Sequence, residues 1–411
     1  MLRLGCIFAS PTLTSDTPGS GFSQMKLLIV THKLCWPSKL SASGYATDGG
    51  FPFQIAALSE LFDETRLCVP CGTPAQSNGE ISLAGHNLRV VPLPVPNGSG
   101  IWRKLRFSEW FVKSVGLLLK EVRRADAVHA PIPGDVGTIG MLLAWVMRKP
   151  LFVRHCGNWF IPTTAAEYFW KWFMETFAGG RNVMLATGGA KESPSRRNPN
   201  LHWIFSTSLT ERELNEAGKG KTPNRQARLI IICRQEQKKG TGIVIESLPL
   251  ILQKFPMIKL DVVGDGSDLP KFKELTARLN LSEHVTFYGK LDQTGVRQLL
   301  KQADVFCYPS TSSEGFPKVV LEALAYGLPV ITTKVSVLPL LLARGGGRLI
   351  DIPAPNIVAQ NVIELLSDSN AYLEMSAQAI DIARQYSLER WRNTIRDLLH
   401  GAWGSPLRAD V

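Results

Sequence analysis

The stretch 314–332, EGFPKVVLEALAYGLPVIT, constrains the fold more than any other part of the chain. A short apolar strand precedes it at 304–310 and a second begins at Pro329, so one short helix lies between two strands. Pro317 suits the first helical position, where its fixed φ fits and its missing N–H would be unpaired anyway. Gly327 suits the place just past the helix end, where a left-handed residue is wanted. The helix then starts at the carboxyl end of a strand, the edge at which open α/β sheets bind ligands. The free N–H groups of Phe316, Lys318 and Val319, with the helix dipole, favour a phosphate there. Two carboxylates bracket this start. Glu314 lies in the preceding loop, and Glu322 is the only charge in 319–327. A carboxylate on so apolar a segment calls for a partner or a ligand. The plainer reading is an amphipathic helix with two solvated glutamates.

At 411 residues the chain is long enough for two or three domains. With 45% hydrophobic and 20% charged residues it can build sizeable cores. No run of 18 uninterrupted apolar residues occurs, so no membrane-spanning helix is expected. The net charge of +11 favours anionic partners: nucleotides, phosphates or an acidic membrane face. No zinc finger, recognition-helix pattern or aromatic-basic RNA signature is present, which argues against nucleic acid. Seven scattered cysteines imply no disulfide framework and fit a reducing compartment. Cys68 and Cys71 form a lone CxxC without a second pair, so zinc is not expected and packing is the simpler role.

Residues 1–24 read as a disordered or mis-started leader, and the first strand begins at Met25. A long polar loop follows at 32–48. Gly49 and Gly50 then open a helix to Leu61, and paired glycines let a backbone approach a ligand closely or simply turn tightly. Strands are expected at 65–69, 88–93, 126–130, 150–155, 182–187 and 202–206. The segment 101–124 reads as a helix with seven basic and two acidic residues. Trp102, Trp110 and Phe111 are interleaved with Arg103, Lys104, Arg106 and Lys113, and such a helix can lie on an anionic membrane. The alternative is a solvated helix with its apolar stripe in the core. His129 and His155 end two of the strands. A second domain opens with strand 227–233 and repeats strand, glycine turn and helix through 258–263, 285–288 and 346–352. Three helices close the chain at 356–366, 371–384 and 388–400. The boundaries so read are 25–207 for the first domain and 208–400 for the second.

Two glutamates eight apart, with Gly-Phe after the first and Leu-Pro-Val-Ile after the helix, resemble the E-x7-E signature of family 4 (group 1) retaining glycosyltransferases. The resemblance implies a GT-B fold: two Rossmann-like parallel α/β domains facing a cleft. It implies that Glu314 and the amides of Gly315 and Phe316 hold the donor sugar and diphosphate, beside Lys318 and Val319. Glu322 would bind the ribose, and Arg234 and Lys239 the diphosphate, although Cys233 replaces the family's usual glycine. Gly264, Gly289, Lys290 and Leu291 would flank the base, His155 would reach the donor sugar, and Gly49 and Gly50 would lie beside the donor phosphates. The final helix often crosses back to the first domain in this fold.

The expected function is transfer of a sugar from a nucleotide sugar, such as a UDP-sugar, to a hydroxyl of a polysaccharide or lipid-linked glycan precursor, with retention of configuration. The resemblance implies no cofactor and no metal, the nucleotide sugar being a co-substrate. A cytoplasmic location, with peripheral contact at the inner membrane face, fits that role. A nucleotide-sugar epimerase of the same fold, or a non-catalytic sugar-nucleotide or glycan binder, are the alternatives. The acceptor would be chosen by loops 32–48 and 156–166.

Overall fold

A computed structural model of the protein describes residues 25–73, 80–96, 100–218, 220–222, 224, 226–312, 315–404 and 407–408, with backbone alone over 100–106. The leader 1–24 lies outside the described residues.

Two parallel sheets form the frame. The first has seven strands, ordered Leu201–Ile204, Asn182–Thr187, Leu151–His155, Ala127–Ile132, Lys26–Val30, Glu64–Pro70 and Leu88–Leu93. The second has six, ordered Val285–Gly289, Lys259–Val263, Arg228–Ile232, Val305–Tyr308, Val330–Thr333 and Gly347–Ile350. The apolar runs explain this architecture, because strands of a parallel sheet are covered on both faces. In Lys26–Val30, Leu28 and Val30 enter one core while Leu27 and Ile29 enter the opposite one. In Arg228–Ile232, Leu229 and Ile231 face one core and Ile230 and Ile232 the other. Every crossover returns the chain to the amino edge, so the glycine turns gather at the carboxyl edges.

The last helix, Leu388–Trp403, packs on the first sheet rather than the second. Its buried residues Leu388, Trp391, Ile395 and Leu399 recur every three or four positions and form one stripe. That stripe meets Ile55, Leu58 and Phe62, and Arg392 pairs with Glu60 at its edge. The two domains are therefore tied by a crossing helix as well as by the chain between Ile204 and Arg228.

Two expectations change, and of the two readings of helix 101–124 Trp110 follows the one with an apolar stripe in the core. Stretch 32–48 is not all loop: Trp36–Pro37 and Tyr45–Thr47 pair antiparallel with each other, and the latter pairs with Ile81–Ser82. Strands of two or three residues are too short to show an alternating pattern. Helix Gly100–Arg124 forms as expected, and Trp110 turns inward, buried, and its Nε1 donates to Pro94 O at 2.7 Å. Phe111 and Val112 face outward. The side chains of Trp102, Arg103, Lys104 and Arg106 lie outside the described residues. Pro317 caps helix Lys318–Ala325 in an extended conformation instead of occupying its first turn, and its carbonyl accepts from Val320 N at 3.1 Å.

Candidate functional site

The second domain supplies one wall. Helix Lys318–Ala325 begins just past the carboxyl end of strand Val305–Tyr308, and Gly327 follows it with φ +67°. Glu314 and Ser313 lie outside the described residues, so the first expected carboxylate has no place in this geometry. Gly315 does. A Cβ on it would sit 2.6 Å from Gly157 O and 3.1 Å from Thr187 O, both in the first domain. Only glycine fits so close a backbone approach. Phe316 is buried against Phe205 and Tyr386. Val319 is half-buried and joins the packing of the second-domain core. Lys318 and Glu322 are one turn apart and share a helix face.

The loop after strand Arg228–Ile232 adds the basic pair. Gln235 is fully buried and anchors it: its Nε2 donates to Val263 O at 3.0 Å, and its Oε1 accepts from Thr241 Oγ1 at 2.8 Å. Lys239 is buried, with Nζ donating to Ser312 Oγ at 3.4 Å, so it reaches the loop leading to Gly315. Arg234 stays outside, 74% exposed and paired with Glu236 at 3.3 Å. The structure thus brings Lys239 to the glycine-phenylalanine loop and leaves Arg234 at the surface. Gly264 and Gly289 turn the chain at neighbouring strand ends, where Gly264 N donates to Gly289 O at 2.7 Å.

The first domain supplies the facing wall. Gly49 and Gly50 precede helix Phe51–Ser59, whose first turn has no side-chain cap. Asp48, just before them, pairs with Lys33 of its own domain and with Lys290 of the other at 3.3 Å. Burial would raise the Asp48 carboxyl, but the two lysines outweigh it and hold it below its usual range. His155 is buried edge-on to Trp159, its Nδ1 has no partner in good geometry, and burial lowers its pKa to about 4. It is therefore neutral at physiological pH. His129 is a core residue, stacked on Phe152 with Nδ1 3.0 Å from Phe152 O.

Between the walls is a cavity of about 410 Å³. Gly49, Gly50 and Ser208 line it from one side, and Lys290, Leu291 and Glu322 from the other. Glu322 is half-buried, and desolvation raises its carboxyl to about 7 despite Lys318 and Arg297 nearby. Desolvation likewise lowers Lys318 to about 8, helped by Arg154. Arg154 is buried with Nη2 donating to Gln54 Oε1 at 2.9 Å, while its Nε and Nη1 have no partner. Sequence reasoning missed Asp48, Ser208 and Arg154. Asp48 abuts the glycine pair and could have been noticed, but nothing local marks the other two.

Residues 213–385 match the family model Glycosyl transferases group 1. That match lies within the second domain and spans less than half of the chain. Over 125 residues the chain is 32% identical to the phosphatidyl-myo-inositol mannosyltransferase of Mycobacterium tuberculosis, covering 30% of this chain and 32% of that protein. Over 433 residues it is 26% identical to the D-inositol 3-phosphate glycosyltransferase of Corynebacterium efficiens, covering 91% of this chain and 96% of that one. The structure of Anabaena HepE in complex with UDP and glucose aligns with TM-score 0.65 at 17% identity, covering 92% of this chain and all 100% of that one. The fold is GT-B.

Glu322 gives the second domain a measurable signature. Its folded pKa lies above the unfolded value, so the charged form is disfavoured on folding. The cost is absent below the unfolded pKa, grows as pH rises and is complete above about 7. Glu322→Gln should therefore raise Tm by roughly 2–4 °C at pH 8 and leave it unchanged near pH 4.5. A loss of Tm at both pH values would mean that the carboxylate stabilises the fold.

Proposed function

We propose that the chain is a retaining glycosyltransferase that moves a sugar from a nucleotide sugar, a UDP-sugar foremost, to a hydroxyl of a polysaccharide or lipid-linked glycan precursor. The observation that carries this reading is the cavity between the domains, lined by Glu322, the glycine pair and the Lys290–Leu291 turn. A ribose hydroxyl can donate to Glu322, and the amides at the two helix starts can receive a diphosphate. The family match of the second domain and relatives named as inositol-phosphate and phosphatidylinositol glycosyltransferases support it.

In the proposed reaction the acceptor oxygen bonds to the anomeric carbon on the face from which the diphosphate leaves. The acceptor proton passes to the departing phosphate oxygen. The protein's part is orientation and electrostatics. Negative charge grows on the leaving diphosphate, and Lys239, Arg234 and the start of helix Lys318–Ala325 are the available positive groups. We place Glu314 beside the donor sugar on the strength of the family resemblance. Turnover is then expected to survive EDTA, whereas Lys239→Ala and Arg234→Ala each lose about tenfold or more in kcat. Glu314→Gln should lower kcat more than nucleotide affinity. The assay is product formation from UDP-, GDP- and ADP-sugars with a glycan acceptor, with the anomeric proton of the product read by NMR. Inverted product, or activity abolished by EDTA and restored by magnesium, contradicts the mechanism. Release of free sugar without acceptor would instead indicate an epimerase, and donor binding without turnover a non-catalytic binder.

We also place the first domain on the cytoplasmic face of an anionic membrane. Val112, Trp145, Val146, Tyr168 and Trp172 are exposed on three helices of that domain. Lys113, Lys120, Arg123 and Arg124 lie on one of those helices. Vesicle flotation should require anionic lipid and weaken with salt. Equal binding to neutral vesicles, or none to either, removes this role.

A further inference from the structure

We propose that the Lys318 side chain is a ligand of the donor diphosphate, spanning the cleft from the second domain to the uncapped start of helix Phe51–Ser59. This inference rests on the nucleotide-sugar reading but assigns a role to a side chain that reading does not use.

The geometry is specific. A Cβ built on Gly50 would lie 3.2 Å from Lys318 Nζ and 3.1 Å from Ser208 Oγ. The ammonium therefore crosses to the first domain and stops at the glycine that precedes its helix. Among the described residues Lys318 makes no hydrogen bond or ion pair there, and Glu322 acts on it only at longer range. Two helix starts flank it, and neither Gly50 nor Pro317 provides a side-chain cap. Their free N–H groups and dipoles add positive potential to that of the ammonium.

The surrounding charges do not balance it. Arg154, on strand Leu151–His155, is nine-tenths buried with its guanidinium over Trp391, and its Nε and Nη1 are unpartnered. Arg154 and Lys33 disfavour the charged form of Lys318, while Glu322 and Cys156 favour it. Lys33 is already paired with Asp48. Glu322 is the carboxylate on the same helix face, and it in turn feels Lys318, Arg297 and Glu213. With its own pKa raised to about 7 it is an incomplete counterion. A half-buried cation with an incomplete counterion is costly, and a diphosphate entering between the two helix starts would remove the cost. Ser208 Oγ, next to Gly50, can donate a further hydrogen bond to it.

The pH dependence follows. Lys318 has a pKa lowered to about 8, so its contribution is complete below that pH and is lost as pH rises through it. The test is calorimetric titration with UDP, GDP and ADP from pH 6 to 9.5, using wild type, Lys318→Met and Lys318→Arg. For the nucleotide that wild type binds most tightly, Lys318→Met should weaken binding roughly 10- to 100-fold at pH 7. Wild-type affinity should fall by up to about tenfold per unit above pH 8. Lys318→Met should lack that alkaline limb, and Lys318→Arg should keep its affinity to pH 9.5. A Lys318→Met protein that binds like wild type, with the same pH profile, overturns the inference and leaves the functional reading standing. Failure of wild type to bind any of the three nucleotides overturns both.

Discussion

The arrangement depends on one backbone contact. Gly315 lies so close to the carbonyls of Gly157 and Thr187 that no side chain can stand between them. The loop entering helix Lys318–Ala325 is therefore pressed flat against the carboxyl edge of the first sheet. That contact places Lys318 against Gly50 and sets Glu322 in the wall of the cavity opposite Gly49. On the rim, Asp48 reaches Lys290 across the cleft. A substitution at Gly315 would push the two sheets apart and separate groups that lie far apart in the chain.

The same region departs from the rule that buried polar groups find partners. Arg154 leaves two nitrogens unsatisfied, His155 leaves Nδ1 unsatisfied, and Lys318 and Glu322 carry pKa values displaced toward neutrality. Elsewhere neutral groups such as Trp36 Nε1, Thr65 Oγ1 and Ser114 Oγ also lack partners, but buried charges are paired. Asp304 accepts from Arg228 N at 2.7 Å, and Lys221 donates to three carbonyls at the end of helix Gln293–Gln302. Unsatisfied charge gathered at a cleft between the sheets is the pattern of a candidate binding site.

Most of the frame was legible in the sequence because parallel strands are covered on both faces. Runs such as Leu229 to Ile232 read as strands without knowledge of their partners, and glycines such as Gly264 and Gly327 mark the turns. The short helix after strand 304–310 was legible from residue type and spacing, and the Lys239 loop only through the family resemblance. What escaped depends on distant partners. The short strands near Trp36 and Tyr45 exist because Ile81–Ser82 completes their sheet. The pattern left open whether Trp110 faces the core or a membrane, and Pro94 O, which accepts from its Nε1, lies 16 residues away. The roles of Asp48 and Arg154 come from Lys290 and Gln54, 242 and 100 residues away.

The central claim is that both domains close on one nucleotide between the two helix starts. Hydrogen exchange of the full chain, with and without a nucleoside diphosphate, tests it most directly. The account predicts protection appearing together in peptides spanning 48–58 and 316–326. A second cavity of about 530 Å³ lies between helices Thr241–Leu252 and Leu269–Arg278, lined by Glu246, Asp268 and Lys271. Protection confined to that groove, with both helix starts unchanged, would contradict the account.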